Sequence, residues 1–369
     1  MIFWEKNKMT VATCGIQLNH DSILWTSWIN GDLYKLNLND YHIEFLKSTI
    51  EVGHYKKAFS CILRHKEKIY LICLYDCYEI IEYDIPSDQL RLLYQNIKEG
   101  IEIFQAFLVD EILYLIPDKT CHDICVYSLK EERAIYIGWK ELLFHGDLNI
   151  EDKFLYSMHL WKNRIYGAIH NTPYIFCLEV QPEIKCKVYK LEKSYKLGNI
   201  FVNGNEIYLA FLDRNTMICF DQDMNQKAEW NIGEKAEREN VEQLPFIDFV
   251  MCNQELVCFP FGYKDKIQVI HTNTGNRYTV DYPDEFHTYD NNERLFWNPV
   301  MDGNQVYLLP HGGKGMLVLD LDSHKLKHIE LKMNLYHQVK KNISINDREK
   351  QRNDSKKVIG NLIYNAGKK

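Results

Sequence analysis

The sequence predicts an all-β fold: seven units of four short antiparallel strands, closed into a ring, followed by a short basic C-terminal extension. Three observations predict it. An aromatic or apolar residue inside an apolar run recurs every 42–52 residues. A polar residue that ends a second run keeps step with it. Turn-forming residues stand shortly before each copy of the first run.

The first row is Trp25, Tyr70, Tyr114, Tyr166, Tyr208, Val257 and Tyr307, in runs such as "IYLICL", "IYLAFL" and "QVYLLP", with spacings of 45, 44, 52, 42, 49 and 50. The second row is Asn37, Asp84, Ser128, Glu179, Asp221, His271 and Asp320, with spacings of 47, 44, 51, 42, 50 and 49. Two features that hold step over seven copies define an internal repeat. The turns before the first row include Asp110-Glu111, Asn203-Gly204-Asn205, Asn253-Gln254 and Asp302-Gly303-Asn304. Asn-Gly and Asp-Gly supply the positive φ angles of tight hairpins. Upstream of each turn lies another apolar run, such as "AFSCIL" or "FIDFVM". The unit is therefore strand, hairpin, strand, turn, strand, hairpin, strand. That is the blade of a β-propeller. Seven such units run from about residue 10 to 331. One blade cannot bury both of its faces, whereas a closed ring buries them against neighbours and protects the edges.

The pattern resembles the kelch-like and WD-repeat-like β-propellers, over about nine tenths of the chain. Kelch-like blades have a Gly-Gly pair after the second strand, matched here by Gly312-Gly313 in one unit. The Trp-Asp pair of WD-repeats is absent. The resemblance implies a fold, and activity must be argued from the site.

The composition, 46% hydrophobic and 26% charged, is ordinary for a globular chain. Plentiful Tyr, Phe and Trp suit pleated, half-buried surfaces. Residues 332–369 hold 10 Lys/Arg and 3 Asp/Glu, a net of +7; the formal total is −7, so residues 1–331 carry −14. An acidic body argues against nucleic-acid binding, which needs a basic face. No apolar run is long enough for a signal peptide or a membrane span. The 11 cysteines are odd in number and lie mostly inside apolar runs (Cys61, Cys73, Cys219, Cys252, Cys258), as buried thiols of a reducing compartment do. The expected location is cytoplasmic, with no membrane partner, and the richness in Ile, Lys, Asn and Tyr suits an AT-rich bacterial genome. The expected organisation is a propeller over 1–331 and a basic tail over 332–369. Within the tail, Asn342–Lys357 is nearly all polar, and "KKVIGNLIYNAG" is apolar enough to dock as a strand or helix.

No G-x-S-x-G, G-x-G-x-x-G, P-loop, H-E-x-x-H or EF-hand pattern is present, so no cofactor is expected. Cys73-x3-Cys77 and Cys121-x3-Cys125 have the wrong spacing for a zinc knuckle, and no metal site is expected. Two sets of residues are candidates instead. Counting nine back from the first row gives the innermost strands: Ile16, Cys61, Gln105, Ser157, Asn199, Asp248 and Asn298. Five of these seven are polar in otherwise apolar strands, and they would line a central channel. The loops of one face offer Trp28, Tyr75, Asp76, Asp118, His170, Asp213, Tyr263, His287 and His311, a mixture of aromatic and polar groups suited to a protein, a peptide or a polar small ligand. The expected function is a binding or scaffold propeller. The alternative is a hydrolase or lyase acting on a sugar or modified peptide at the channel mouth, with Asp248 and His311 as acid/base candidates.

Overall fold

The computed structural model describes residues 12–27, 31–49, 52, 58–143, 152–180, 183–191, 195–232, 244–261, 265–287, 296, 298–311 and 315–333. They form antiparallel sheets in chain order. The first holds β1 (Ala12–Asn19), β2 (Ser22–Ser27), β3 (Leu33–Asn37) and β4 (His42–Lys47). The second holds β5 (Phe59–His65), β6 (Lys68–Cys73), β7 (Tyr75–Asp84), β8 (Gln89–Val109), β9 (Ile112–Pro117), β10 (Ile124–Ser128) and β11 (Arg133–Ile137). The third comprises β12 (Ser157–Trp161), β13 (Arg164–Ala168), β14 (Tyr174–Glu179) and β15 (Lys185–Lys190). The fourth comprises β16 (Leu197–Asn203), β17 (Glu206–Phe211), β18 (Thr216–Asp221) and β19 (Gln226–Asn231). The fifth has β20 (Phe246–Cys252), β21 (Glu255–Pro260), β22 (Ile267–His271) and β23 (Arg277–Val280), and the sixth β24 (Val300–Asp302), β25 (Gln305–Leu308), β26 (Met316–Asp320) and β27 (Lys325–Ile329). A five-residue helix, α1 (Trp139–Leu143), follows β11.

Hydrogen bonding thus gives six sheets among the described residues, where the repeat predicts seven separate ones. The difference lies in β8. This 21-residue strand pairs β7 through its first part and β9 through its second, so it is the last strand of unit two and the first of unit three. No break separates them, because Gly100, at φ 77, and Asp76, at φ 55, absorb the irregularity within the pairing. All seven units are otherwise represented by four strands each.

The burial pattern explains why the sequence reads as it does. Second strands are buried along nearly their whole length, as in "SILWTS" of β2. They are covered on both faces and read as continuous apolar runs. Fourth strands lie at the rim and alternate, as in "KCKVYK" of β15. The first repeat row occupies second strands throughout, and every member is buried, from Trp25 at 0% exposure to Tyr307 at 6%. The second row ends the third strand in every unit. There Asn37, Asp84, Ser128, Asp221, His271 and Asp320 each accept a backbone N–H from the following turn, at 2.8–3.4 Å. The polar step in the sequence is therefore the side-chain cap of the hairpin into the fourth strand.

The core is a ring of seven hydrophobic clusters among the described residues, each shared by two successive units. Leu24 and Leu33 of unit one meet Phe59 and Leu71 of unit two. The clusters proceed in order through units two and three, three and four, four and five, five and six, and six and seven. The seventh packs Val300, Tyr307 and Leu309 of unit seven against Ile23, Trp25 and Tyr34 of unit one. Backbone hydrogen bonds tie the seam: Ala12 N donates to Pro310 O at 2.7 Å. After β27 the chain returns to the first sheet, where β28 (Lys332–Met333) adds a fifth strand, parallel to β4. The start of the basic extension is thus part of the first sheet, and residues 334–369, with the polar stretch and "KKVIGNLIYNAG", lie outside the described residues.

Tyr114 shows what each repeat position contributes. Its ring lies in the cluster between units three and four, and its hydroxyl donates to Val180 O at 2.9 Å. We expect Tyr114→Phe to cost about 1 kcal/mol, the net of one buried hydrogen bond, and Tyr114→Ala about 3–5 kcal/mol through loss of the ring. Urea unfolding of the two variants checks the ratio.

Candidate functional site

The innermost strands surround a central cavity of about 350 Å³. Its walls come from β5, the second part of β8, β12, β20 and the residues leading into β24. Apolar lining includes Ile62, Leu63, Phe107, Met158 and Phe249, and the polar lining is Cys61, Gln105, Tyr156, His159, Asp248 and Asn298.

The strands reach the cavity through a shared irregularity. In β1, β5, β8, β16 and β20 the pairing slips by one residue, immediately before Cys14, Cys61, Gln105, Asn199 and Asp248. A bulge adds an unpaired residue and breaks the alternation of faces. This is why neighbouring Phe104 and Gln105 both line the cavity. Four of the seven residues expected from counting nine back, Cys61, Gln105, Asn199 and Asp248, therefore fall just after a bulge. In unit one the residue after the bulge is Cys14, not Ile16: a second slip at Gln17/Asn19 shifts β1 by one residue, and the position of β2 equivalent to Tyr70 is Leu24, two before Thr26 as Tyr70 is two before Ile72.

The row divides into two roles. Asn199, at 1% exposure, binds the next inner strand: its Nδ2 donates to Phe246 O at 2.9 Å, and its Oδ1 accepts from Phe246 N at 3.1 Å. Ser157 Oγ accepts from Ile200 N at 3.0 Å. Cys61 Sγ accepts from Ala106 N at 3.1 Å, and Cys14 Sγ lies 3.6 Å from Phe59 O. These side chains clasp successive units. Gln105, Asp248 and Asn298 instead belong to the cavity wall. Asp248 Oδ1 accepts from Phe249 N at 2.8 Å. Gln105 Oε1 is buried with no hydrogen-bond partner among the described residues.

Sequence reasoning missed three cavity residues, Phe104, Tyr156 and His159. His159 lies two positions after Ser157, so strand alternation was the available signal. Its ring packs on Phe201 at 4.6 Å, and its Nδ1 is buried without a hydrogen-bond partner among the described residues. Burial pushes its pKa down to about 4, so the imidazole is neutral at pH 7. Tyr156 is the centre of an aromatic group: Phe154 stacks on it at 4.8 Å, Phe104 meets it edge-on at 5.4 Å and His170 at 5.1 Å. Lys119 Nζ sits 4.7 Å above the Phe154 ring.

The loop residues are distributed around this group. His170 is 5% exposed, with its N–H bound to Phe154 O. Asp118 is also 5% exposed, its N–H bound to Glu102 O at 2.7 Å and its Oδ1 without a hydrogen-bond partner. Desolvation raises the Asp118 carboxyl, partly opposed by Lys119 and His122. The Glu102 carboxyl is raised by desolvation and then by Asp118 and Asp76. Asp76 accepts from Gly100 N at 3.0 Å, beside exposed Tyr75. Asp76, Asp118 and His170 thus gather on units two to four. Asp213 pairs with Arg214 at 3.4 Å in unit five, where the guanidinium covers Tyr195 at 4.2 Å. His287 is exposed beyond β23. His311 sits at the seam, donating from Nδ1 to Ala12 O at 2.9 Å. Trp28, Tyr263 and Gly312-Gly313 lie outside the described residues. No three His, Cys, Asp or Glu side chains among the described residues converge as a metal site.

No protein-family model matches the chain, and no curated protein matches it in sequence. Solved structures match it in fold. YCF48, in a structure bound to D1 peptide, has a TM-score of 0.61 at 9% identity, covering 84% of this chain and 92% of that one. Virginiamycin B lyase from Staphylococcus aureus gives 0.53 at 12% identity, over 73% and 83% of the two chains. Kluyveromyces lactis Hsv2 gives 0.52 at 10% identity, over 85% and 96%. These are β-propellers, and so is the fold of this chain. No helix among the described residues is long and apolar enough to cross a membrane.

The two roles of the inner row predict opposite responses to truncation. Asn199→Ala leaves the Phe246 N–H and C=O unpaired and should cost about 1–3 kcal/mol, whereas Gln105→Ala removes an acceptor that bonds nothing and should stay within about 0.5 kcal/mol. Denaturant midpoints separate them. His159 supplies a pH test. Its folded pKa lies below the ordinary value near 6.5, so the unfolded chain takes up the proton first. Stability should be full above pH 6.5 and fall as the pH drops toward 4, and that slope should vanish in His159→Gln. Unfolding followed across this window, with the imidazole titration read by NMR, checks both.

Proposed function

We propose that the protein is a cytoplasmic binding propeller that takes a peptide or a polar small ligand at its central cavity and the adjoining loop face. The observation that carries this reading is the pair of buried polar atoms on the cavity residues, Gln105 Oε1 and His159 Nδ1, that have no hydrogen-bond partner among the described residues. Buried polar atoms are normally paired, and a ligand supplies the missing partners. The loop residues Asp76, Asp118 and His170 stand beside the same wall and extend the contact outward. The net charge of −14 over residues 1–331 supports a protein, peptide or small-molecule partner over nucleic acid. YCF48, of the same fold, is known bound to D1 peptide, which supports a peptide ligand. The eleven free thiols support a reducing, cytoplasmic setting.

The test is selection of displayed random peptides on the full chain, followed by affinity measurement with variants of the loop face. Asp118→Ala and His170→Ala should each weaken a selected peptide about tenfold, ~1.4 kcal/mol, with the fold retained by circular dichroism. Selection that yields no peptide, combined with turnover of a sugar or modified-peptide substrate by the purified protein, would overturn the reading in favour of a hydrolase or lyase.

A further inference from the structure

We infer that the central cavity takes an uncharged aromatic ring that carries one N–H or O–H donor, a phenol or an indole, with Gln105 as the acceptor of that donor. This rests on the binding function proposed above and gives that site its ligand chemistry.

Four observations converge. First, the wall is mainly apolar and rich in rings: Phe104, Phe107, Tyr156 and Phe249 line the cavity from units three, four and six. These rings already belong to a web of ring contacts. Phe104 meets Tyr156 edge-on at 5.4 Å, and Phe249 lies 5.7 Å from Phe201. Ring pairs gain more than the area they bury, so a wall of rings favours a ring. Second, Met158 and Met301 complete that wall. A thioether is unbranched and polarisable, and it suits the edge of an aromatic group. Third, nothing in the wall compensates an anion. No lysine or arginine lines the cavity among the described residues, and burial keeps the His159 imidazole neutral near pH 7. A carboxylate or phosphate held there would stay unpaired, at heavy cost. A neutral ring needs no counter-charge. Fourth, the polar groups of the wall are few, and one of them lacks a donor. Gln105 Oε1 is buried and accepts no hydrogen bond among the described residues, and a carbonyl oxygen can only accept. A phenol O–H or an indole N–H supplies what it lacks, whereas a plain hydrocarbon ring leaves it unpaired.

Size and access agree. A volume of about 350 Å³ is at the low end for ligand pockets and suits one or two fused rings better than a long chain. Met301 lines the cavity and is 40% exposed, which places it where the cavity meets solvent. The ring could be a free small molecule or the tyrosine or tryptophan side chain of a peptide, and the experiment separates the two.

The full chain is titrated calorimetrically at pH 7 with para-cresol and skatole, with toluene as the ring without a donor, with para-hydroxyphenylacetate as the anion, and with the peptides Ac-Gly-Tyr-Gly-NH2 and Ac-Gly-Leu-Gly-NH2. Para-cresol or skatole should bind about tenfold more tightly than toluene and than the anion, with affinity unchanged as salt rises. Tighter binding of the tyrosine peptide than of para-cresol, with no binding of the leucine peptide, identifies a peptide side chain as the source; the reverse order identifies a free small molecule. Gln105→Leu, of similar size, should lower the para-cresol affinity about tenfold and leave that of toluene unchanged, a pattern that a purely structural role does not give. Met301→Lys, at the exposed part of the wall, should weaken every neutral ring, while Lys185→Ala on the rim of unit four changes nothing. Thermal unfolding verifies that each variant is folded; should Gln105→Leu fail to fold, Met301→Lys and the ratio of para-cresol to toluene in the unaltered chain carry the comparison. Equal affinity for para-cresol and toluene, or for para-cresol and the anion, would overturn the assignment and leave the binding function standing. No binding by any of the ring compounds, with displayed peptides still selected, would also sink the assignment alone.

Discussion

The contact on which the rest of the molecule depends is the one between its ends. Each unit covers one face of its neighbour, and none covers both of its own. Without closure, Ile23, Trp25 and Tyr34 at one end and Val300, Tyr307 and Leu309 at the other would face water. The seam buries both sets at once. It is held by Ala12 N on Pro310 O, by His311 Nδ1 on Ala12 O, and by the hydrogen bond from His20 Nδ1 to Asp302 at 3.1 Å. The strand β28 repeats the closure at the rim, where Lys332 N donates to Tyr41 O at 3.0 Å. His311 looks in sequence like a loop residue free for chemistry. In the molecule its Nδ1 proton is committed to the seam.

Closure also makes the cavity. Seven first strands converge on one axis, and their side chains must either bond the neighbouring strand or face the space between. Asn199 and Ser157 turn sideways and satisfy backbone groups of the next unit, so they stiffen the ring. Gln105 and Asp248, in the same position of other units, line the cavity. One repeat position has been divided between holding the ring together and furnishing its centre.

Much of the fold was legible because it is local and periodic. The rows of Tyr70, Tyr114 and Tyr208 and of Asp84, Asp221 and Asp320 repeat an identical local task, burial in a second strand or capping of a turn. The same task in seven places leaves seven traces. The inner row was legible to within a residue or two, as Gln105, Ser157, Asn199 and Asp248 show. What failed there was register: a slip at Gln17/Asn19 and the one-residue offset of Trp25 from the row together replaced Ile16 by Cys14. The continuity of β8 was hidden because the repeat predicts separate units, whereas Gly100, at φ 77, lies at an irregularity within an unbroken strand.

The amino-acid order alone determined that this chain builds seven alike β units with buried second strands and capped turns, because those features depend on neighbours a few residues away. Only the tertiary structure decided which polar side chains face the centre and that Phe104, Tyr156, His159 and Asp248, from three units, share one cavity. Their nearness is set by closure of the ring, which brings together residues 144 positions apart with no periodic trace. The neutrality of His159 follows from the same closure, since burial beside Phe201, not any sequence neighbour, is what strips its proton.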